Sequence, residues 1–128
     1  MKYILATLLI AFLSSCKQEA INTDPRKQIL GKWEIFYLGN GEYRPQITNP
    51  SCYQEFLPDS VLLEYDYSKK TTYRRKYWID SLLHMGSLRP DGIWLTFDYG
   101  LQFNKDTMRL EKKNVLAIFH VSKYKRTN

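Results

Sequence analysis

Residues 93–103 read IWLTFDYGLQF, and apolar or aromatic side chains alternate there with mainly polar ones. The odd-numbered residues of this stretch are the apolar or aromatic ones: Ile93, Leu95, Phe97, Tyr99, Leu101 and Phe103. A period of two over this length is typical of a half-buried β-strand, or of two strands broken near Gly100. We therefore expect the apolar parity to face a core.

Other segments of residues 29–128 repeat this alternation. The stretch VLLEYDY (61–67) places Val61, Leu63, Tyr65 and Tyr67 on the apolar parity, against Glu64 and Asp66. MRLEKK (108–113) and VLAIFHVSKYKR (115–126) have similar strand character, and turn signals lie near residues 40, 58, 68, 90 and 104. No stretch after residue 28 keeps a helical period for three turns.

About eight strands of about eight residues, joined by short turns, use roughly 100 residues. An antiparallel meander of that size removes its two open edges by closing on itself. The sequence therefore predicts an all-β fold, an antiparallel up-and-down β-barrel of about eight strands, in one domain spanning residues 29–128.

The amino terminus has the features of an export signal. Lys2 supplies a positive charge, and residues 3–13 form an apolar run of 11 residues. That run is shorter than the about 20 residues that cross a bilayer, and its length fits a secretory signal. The sequence Leu13-Ser14-Ser15-Cys16 that follows resembles the bacterial lipobox.

The lipobox resemblance implies a signal peptide over residues 1–15 and a lipidated Cys16, carrying acyl chains such as palmitate, that anchors the protein to a membrane. The alternative is an ordinary signal peptide that contains a cysteine. Lys17 stands where an aspartate would imply retention, so the same resemblance implies the outer membrane, on its periplasmic face or on the cell surface. Residues 16–28 are then the lipidated cysteine and a polar tether, which would reach on the order of 20 Å if flexible.

Three motifs resemble the lipocalin and wider calycin superfamily, in particular small lipocalin-like lipoproteins of Bacteroidetes-type bacteria. They are ILGKWEIFYL (29–38), YGLQFNKDTMRL (99–110) and the closing YKR (124–126). The resemblance implies that Gly31 and Trp33 begin the first strand and that a late arginine stacks on Trp33 to seal one end of the barrel. Arg126 is the candidate, because first and last strands are neighbours in a closed meander. Arg109 ranks lower because its parity opposes Met108 and Leu110; plain core packing of Trp33 is the alternative to both.

The residue pattern gives no sign of catalysis or of a cofactor. His84 and His120 lie in unrelated segments without an acid at metal-ligand or triad spacing, and glycine-rich phosphate loops are absent from the sequence. Cys52, left alone once Cys16 is lipidated, is expected to be a small buried residue, with an intermolecular bridge as the alternative. We predict a non-enzymatic protein without cofactor or metal.

The run KKTTYRRKYW (69–78) contains five cations, and the whole chain carries a net charge of +6. Its basic and aromatic composition could serve single-stranded nucleic acid, but an exported lipoprotein seldom meets nucleic acid. A solvated hairpin face, or docking onto anionic headgroups or an acidic glycan, remain as alternatives. Arg75 shares its parity with Tyr73 and Tyr77, so an inward cation is expected, and it must be paired or must face water or an anionic ligand.

The combined prediction is an envelope lipoprotein whose barrel binds a small hydrophobic or amphipathic ligand. Eight residues are expected to line the site: Tyr37, Tyr65, Tyr67, Tyr73, Arg75, Tyr77, Phe97 and Tyr99. The alternative is a barrel filled by its own aromatics, which would act as a structural or interaction subunit of an envelope complex. An interior void of about 300 Å³ or more would favour the ligand, and a packed interior would favour the interaction.

Overall fold

The computed structural model describes residues 23–114, 116 and 119–128. One short helix, α1 (Pro25–Gln28), precedes eight strands. The strands are β1 (Gly31–Gly39), β2 (Cys52–Phe56), β3 (Val61–Asp66), β4 (Thr71–Ile79), β5 (Leu83–Leu88), β6 (Trp94–Asn104), β7 (Thr107–Lys112) and β8 (Val121–Thr127). Each strand pairs antiparallel with the next, and β8 pairs with β1. The predicted all-β, closed up-and-down barrel is confirmed.

A dense apolar core fills one end of the barrel, which we call the closed end. Side chains that are at most 1% exposed meet there from several strands: Ile29, Trp33, Phe56, Leu62, Leu83, Met108 and Leu110. The other end, which we call the open end, lies where β1, β3, β5 and β7 finish. Its inner face carries more polar side chains, so the two ends differ in chemistry.

Helix α1 precedes β1 at the closed end, where Arg126 donates to the carbonyl of its last residue, Gln28. Its first turn is capped by Asp24, whose carboxylate accepts a hydrogen bond of 3.0 Å from the Arg26 backbone N–H, and Pro25 begins the helix. A proline at the first helical position costs no hydrogen bond. Residues 25–28, at the end of the predicted tether, thus form one capped helical turn, and Ile29, which follows them, is fully buried. The proposed signal peptide, Cys16 and the earlier part of the tether lie outside the described residues.

The predicted phase of β3 was wrong. The cross-strand register places Leu62 opposite Phe56 and Glu64 opposite Gln54, and Phe56 and Gln54 in turn lie opposite Gly31 and Trp33. Residues directly opposite one another share a face, so the even-numbered residues of β3 face inward. Tyr65 and Tyr67 therefore face outward. The segment begins with three apolar residues in a row, so composition alone did not fix its phase.

Strand β1 contains an irregularity that reverses its alternation. Ile35 lies opposite Tyr124, but Tyr37 lies opposite Lys123, which shows that one extra residue is inserted between them. A bulge of this kind moves every later side chain to the other face. Tyr37 is thus on the outside of the barrel, where its hydroxyl donates to the Glu42 carbonyl over 2.7 Å. The expectation that Tyr37 faces the interior was wrong.

Strand β6 follows the expected alternation without a break at Gly100. Leu95, Phe97 and Tyr99 lie opposite Ser87, Met85 and Leu83 on β5, and Leu101 and Phe103 lie opposite Leu110 and Met108 on β7. Ile93 is the exception: it precedes the strand and is 55% exposed.

Candidate functional site

Two side chains cover the closed end, and both bond to the backbone that enters the barrel. The Trp33 indole Nε1 donates to the Ile29 carbonyl over 2.7 Å. The Arg126 guanidinium lies over the indole, with 4.2 Å from its carbon to the ring centroid, and donates to the carbonyls of Leu30 (2.7 Å) and Gln28 (2.6 Å). Gly31 has a φ of 109°, and a Cβ there would lie 3.1 Å from the arginine Nη1. These groups therefore have a structural role, whereas Arg109 donates to Glu111 (2.8 Å) on the outer face.

The inner half of the open end contains a cavity of about 240 Å³, which we call the interior cavity. Its lining residues are Leu38, Gln54, Glu64, Met85, Tyr99, Lys112, Phe119, His120, Val121, Ser122 and Tyr124. They come from seven strands, all except β4, and from the segment before β8. The cavity therefore belongs to the barrel as a whole.

A small polar cluster forms one wall of the interior cavity. Glu64 accepts from Arg75 Nη2 over 3.1 Å and from Gln54 Nε2 over 3.2 Å. Gln54 is only 5% exposed, and its Oε1 atom has no hydrogen-bond partner among the described residues. The opposite amide orientation would place that oxygen against a carboxylate. An unpaired buried acceptor costs about 1 to 3 kcal/mol, so this wall has unused hydrogen-bonding capacity.

Burial raises the pKa of three further groups at or near the cavity, two phenols and a thiol. Burial, chiefly, raises the pKa of the Tyr99 phenol, and burial likewise raises the pKa of the Tyr124 phenol well above its usual range. The pKa of the nearby Cys52 thiol is also raised, first by burial and then by the Glu64 carboxylate. A thiol nucleophile reacts as the thiolate, so this environment suits packing rather than covalent chemistry.

Only one of the predicted lining residues, Tyr99, lines the interior cavity. Phe97 faces inward nearer the rim, where the Lys112 ammonium lies 4.0 Å from its ring centroid. Tyr77 lies in the core: its ring packs edge-on against Phe56 with centroids 5.0 Å apart, and its hydroxyl donates to the Leu57 carbonyl. The expectation that Tyr77 lines the mouth was wrong, because Tyr77 lies near the end of β4, where that strand has reached the closed end of the barrel.

Tyr73 and Arg75 line a second pocket, of about 360 Å³, on the side of the barrel. We call it the side groove; its lining residues are Val61, Tyr73, Arg74, Arg75, Lys76, Ser87, Leu88 and Trp94. Arg75 thus stands between the two pockets, because its partner Glu64 belongs to the interior cavity.

Tyr65 and Tyr67 join an aromatic cluster on the outer face. Tyr65 stacks on Tyr53 with centroids 5.2 Å apart, and Tyr67 meets both rings edge-on. The Tyr67 hydroxyl donates to Glu34 over 2.6 Å, and this bond raises the pKa of Tyr67 to about 12. The Lys32 ammonium lies 3.9 Å from the Tyr53 centroid. The cluster binds β1, β2 and β3 together from outside.

The residues that the sequence prediction missed are the polar ones of the interior cavity. Gln54, Glu64 and Ser122 have no signal of their own, because polar residues on a strand are normally assigned to the solvent face. The usable signal was the register: Trp33 fixes the inner face of β1, and the antiparallel ladder carries that face across Gln54 to Glu64. Lys112 follows in the same way from Leu110.

No known protein family and no curated protein matches this sequence. Within residues 23–114, 116 and 119–128, no helix is long and apolar enough to span a membrane. The same residues contain no group of three or more His, Cys, Asp or Glu side chains arranged to hold a metal ion.

Proposed function

We propose that this chain is a lipid-anchored, lipocalin-like barrel of the bacterial outer membrane that binds a small amphipathic molecule in its interior cavity, and that it does so without catalysis. One observation carries the binding proposal: a cavity inside the barrel has a polar wall with an unpaired acceptor, and its other lining residues include both apolar and polar side chains. Ligand sites typically combine apolar surfaces with a few convergent polar groups. Support for the anchor comes from the sequence Leu13-Ser14-Ser15-Cys16.

The size of the cavity limits the ligand. At about 240 Å³ it falls below the about 300 Å³ at which pockets for drug-sized molecules begin. A whole long-chain lipid would not be enclosed. The fitting class is a small molecule, or a larger one that places only one end in the barrel.

The side chains that line the cavity indicate which chemical groups the enclosed part of the ligand should carry. Met85 and the Tyr124 ring, both 6% exposed, offer apolar contact. Arg75 is already neutralised by Glu64, so it does not demand an anion, as it would if it were alone. A hydroxyl or amino group would supply the donor that Gln54 lacks. At the rim, Lys112 adds one positive charge. We therefore favour an apolar body with a hydrogen-bond donor inside and, if charged, an acidic group at the rim.

The direct experiment is mass spectrometry of small molecules that co-purify with the protein extracted from its native membrane. The identified compound is then titrated into the parent and into Met85→Trp, which fills the cavity, and Gln54→Leu, which removes the amide. Both variants should weaken binding about tenfold or more. Arg109→Met, on the outer face, is the matched control and should bind as the parent does. Unchanged binding by Met85→Trp would place the ligand elsewhere and refute the interior site.

A second function, an interaction subunit of an envelope complex, is favoured by a different observation. Around the side groove, large apolar side chains are exposed to solvent: Leu88 is 58%, Trp94 47% and Tyr73 39% exposed, with Ile93 nearby in sequence at 55%. Contiguous exposed apolar surface of this kind marks interaction sites. Chemical cross-linking in intact membranes, with the photoreactive group placed at Ile93, would identify a partner.

A further inference from the structure

Strand β4 loses its partner on one side halfway along its length. It pairs with β3 from Thr71 to Lys76, but with β5 only from Lys76 to Ile79. Strand β5 meanwhile continues past Gly86 and pairs with β6 at Ser87 and Leu88. Within the part of the chain that the structure describes, residues 71–75 therefore have no strand partner on the β5 side.

The side groove lies in the gap that this divergence opens. Its far wall is the Trp94 ring, which covers Gly86: a Cβ at Gly86 would lie 3.4 Å from the indole. The Lys76 ammonium sits 5.1 Å from the same ring centroid. The groove thus joins an unpaired strand edge to an aromatic wall, which is the arrangement by which a sheet accepts an added peptide strand.

The charge around the groove indicates what could fill it. Lys69 and Arg75 are paired, with Asp66 and Glu64 respectively. Lys70, Arg74 and Lys76 form no ion pair with any residue that the structure describes. A second copy of this strand would bring arginines and lysines against each other, and like charges on adjacent strands are destabilising. An acidic occupant is favoured instead.

We propose that the side groove binds an extended acidic segment of a partner protein, which adds a strand along Thr71–Arg75. Five residues of strand span about 17 Å, enough for several main-chain hydrogen bonds. Alternate side chains of the segment would point to Arg74 and Lys76 outside and to Tyr73 inside. A lipid surface can meet the cations, but it cannot pair with the free strand edge, so the peptide is the occupant that satisfies both features.

The test uses fluorescent ten-residue synthetic peptides with alternating acidic and apolar residues, titrated into the full-length protein in detergent. Three forms are compared: unmodified, N-methylated at odd positions and N-methylated at even positions. An added strand uses alternate backbone N–H groups toward its neighbour, so one N-methylated form should lose binding and the other should retain it. Amide hydrogen exchange of residues 71–75 should slow when the unmodified peptide binds.

Paired charge variants complete the test. Replacing Arg74 and Lys76 together by Ala should weaken binding about tenfold or more. Replacing Lys27 and Lys125 by Ala removes the same charge near the closed end and should leave binding unchanged. The proposal is overturned if no peptide of the set binds, if both N-methylated forms bind equally, or if the control pair weakens binding as much. It is also overturned, in favour of a lipid surface, if phosphatidylglycerol vesicles but no peptide protect residues 71–75.

Discussion

Arg126 lies 4.2 Å from the centroid of the Trp33 ring, and both side chains bond to the backbone between Gln28 and Leu30. The two contacts serve different purposes. The indole fills the end of the barrel, and the guanidinium covers the indole while it satisfies two carbonyls that no strand partner reaches. A cation over an aromatic face adds about 0.5 to 2 kcal/mol to such a pair.

We expect Trp33→Ala to lower the free energy of unfolding by about 3 to 5 kcal/mol, because it deletes a fully buried ring. Arg126→Ala should cost less, about 2 to 3 kcal/mol, through two charged hydrogen bonds and the ring contact. Since the side chains touch, the double variant should cost less than the sum. Urea unfolding of all four proteins measures this.

The control is Arg109→Ala, which removes an arginine whose ion pair is on the outer face and should cost about 1 kcal/mol or less. If the Trp33 and Arg126 effects are strictly additive, the energetic coupling that the geometry indicates is absent.

The fold class could be predicted from the sequence, but the side chains that line the barrel interior could not. In β6, large apolar residues occupy one parity and mostly polar ones the other, so hydrophobicity alone fixes which side faces the core. In β3, the consecutive apolar residues Val61, Leu62 and Leu63 are compatible with either the odd or the even positions facing the core. The odd positions were chosen because of Tyr65 and Tyr67. On the outer face Tyr65 is half-buried and Tyr67 is exposed, and their rings pack against each other.

The misplacement of Tyr37 has a different cause. Its position depends on one extra residue in β1, and a bulge has no hydrophobic signature. The polar wall was missed because Glu64 is tolerated inside only through Arg75 and Gln54, and both partners lie on other strands. The strand register brings these partners to Glu64. Because they lie 10 and 11 positions away in the sequence, local residue patterns do not reveal the pairing.

Arg75→Met should destabilise the protein, because it leaves Glu64 inside the barrel without its cation. The pair is partly exposed, at 31% and 23% for the two side chains, so we expect a cost of about 1 to 2 kcal/mol. Adding Glu64→Gln should recover most of the loss, since the uncompensated charge is then gone. Thermal and urea unfolding of the two single variants and the double variant check this. If Arg75→Met instead stabilises the protein, the cost of desolvating the Arg75–Glu64 ion pair exceeds the attraction between the two charges.

Cys16→Ser should abolish incorporation of radiolabelled fatty acid in the native host, because serine lacks the thiol that a lipobox presents for acylation. Cys52→Ser is the matched control and should incorporate label normally, since Cys52 lies on β2 with a half-buried thiol. Label that still enters Cys16→Ser would contradict the lipobox interpretation, while the barrel and its cavity would be unaffected.

The His84 side chain should make stability depend on pH near neutrality. Its ring nitrogens lie 2.9 Å from Asp80 and 2.6 Å from Asp98, and the ring stacks on Trp78. The hydrogen bonds to Asp80, first, and to Asp98 raise the pKa of His84 above its usual 6.5. The folded protein therefore holds this proton more tightly than the unfolded chain does.

By linkage, the stabilisation from His84 is complete below the unfolded pKa, about 6.5, and is lost as the pH rises through the raised folded pKa. Urea unfolding of the parent should thus show a free energy that falls above about pH 6.5 relative to His84→Gln, which cannot be protonated. Below that pH the difference between the two proteins should be constant and in favour of the parent. A difference that does not change with pH between 5.5 and 9 would mean that His84 has the same pKa in the folded and unfolded states, so that Asp80 and Asp98 do not raise it.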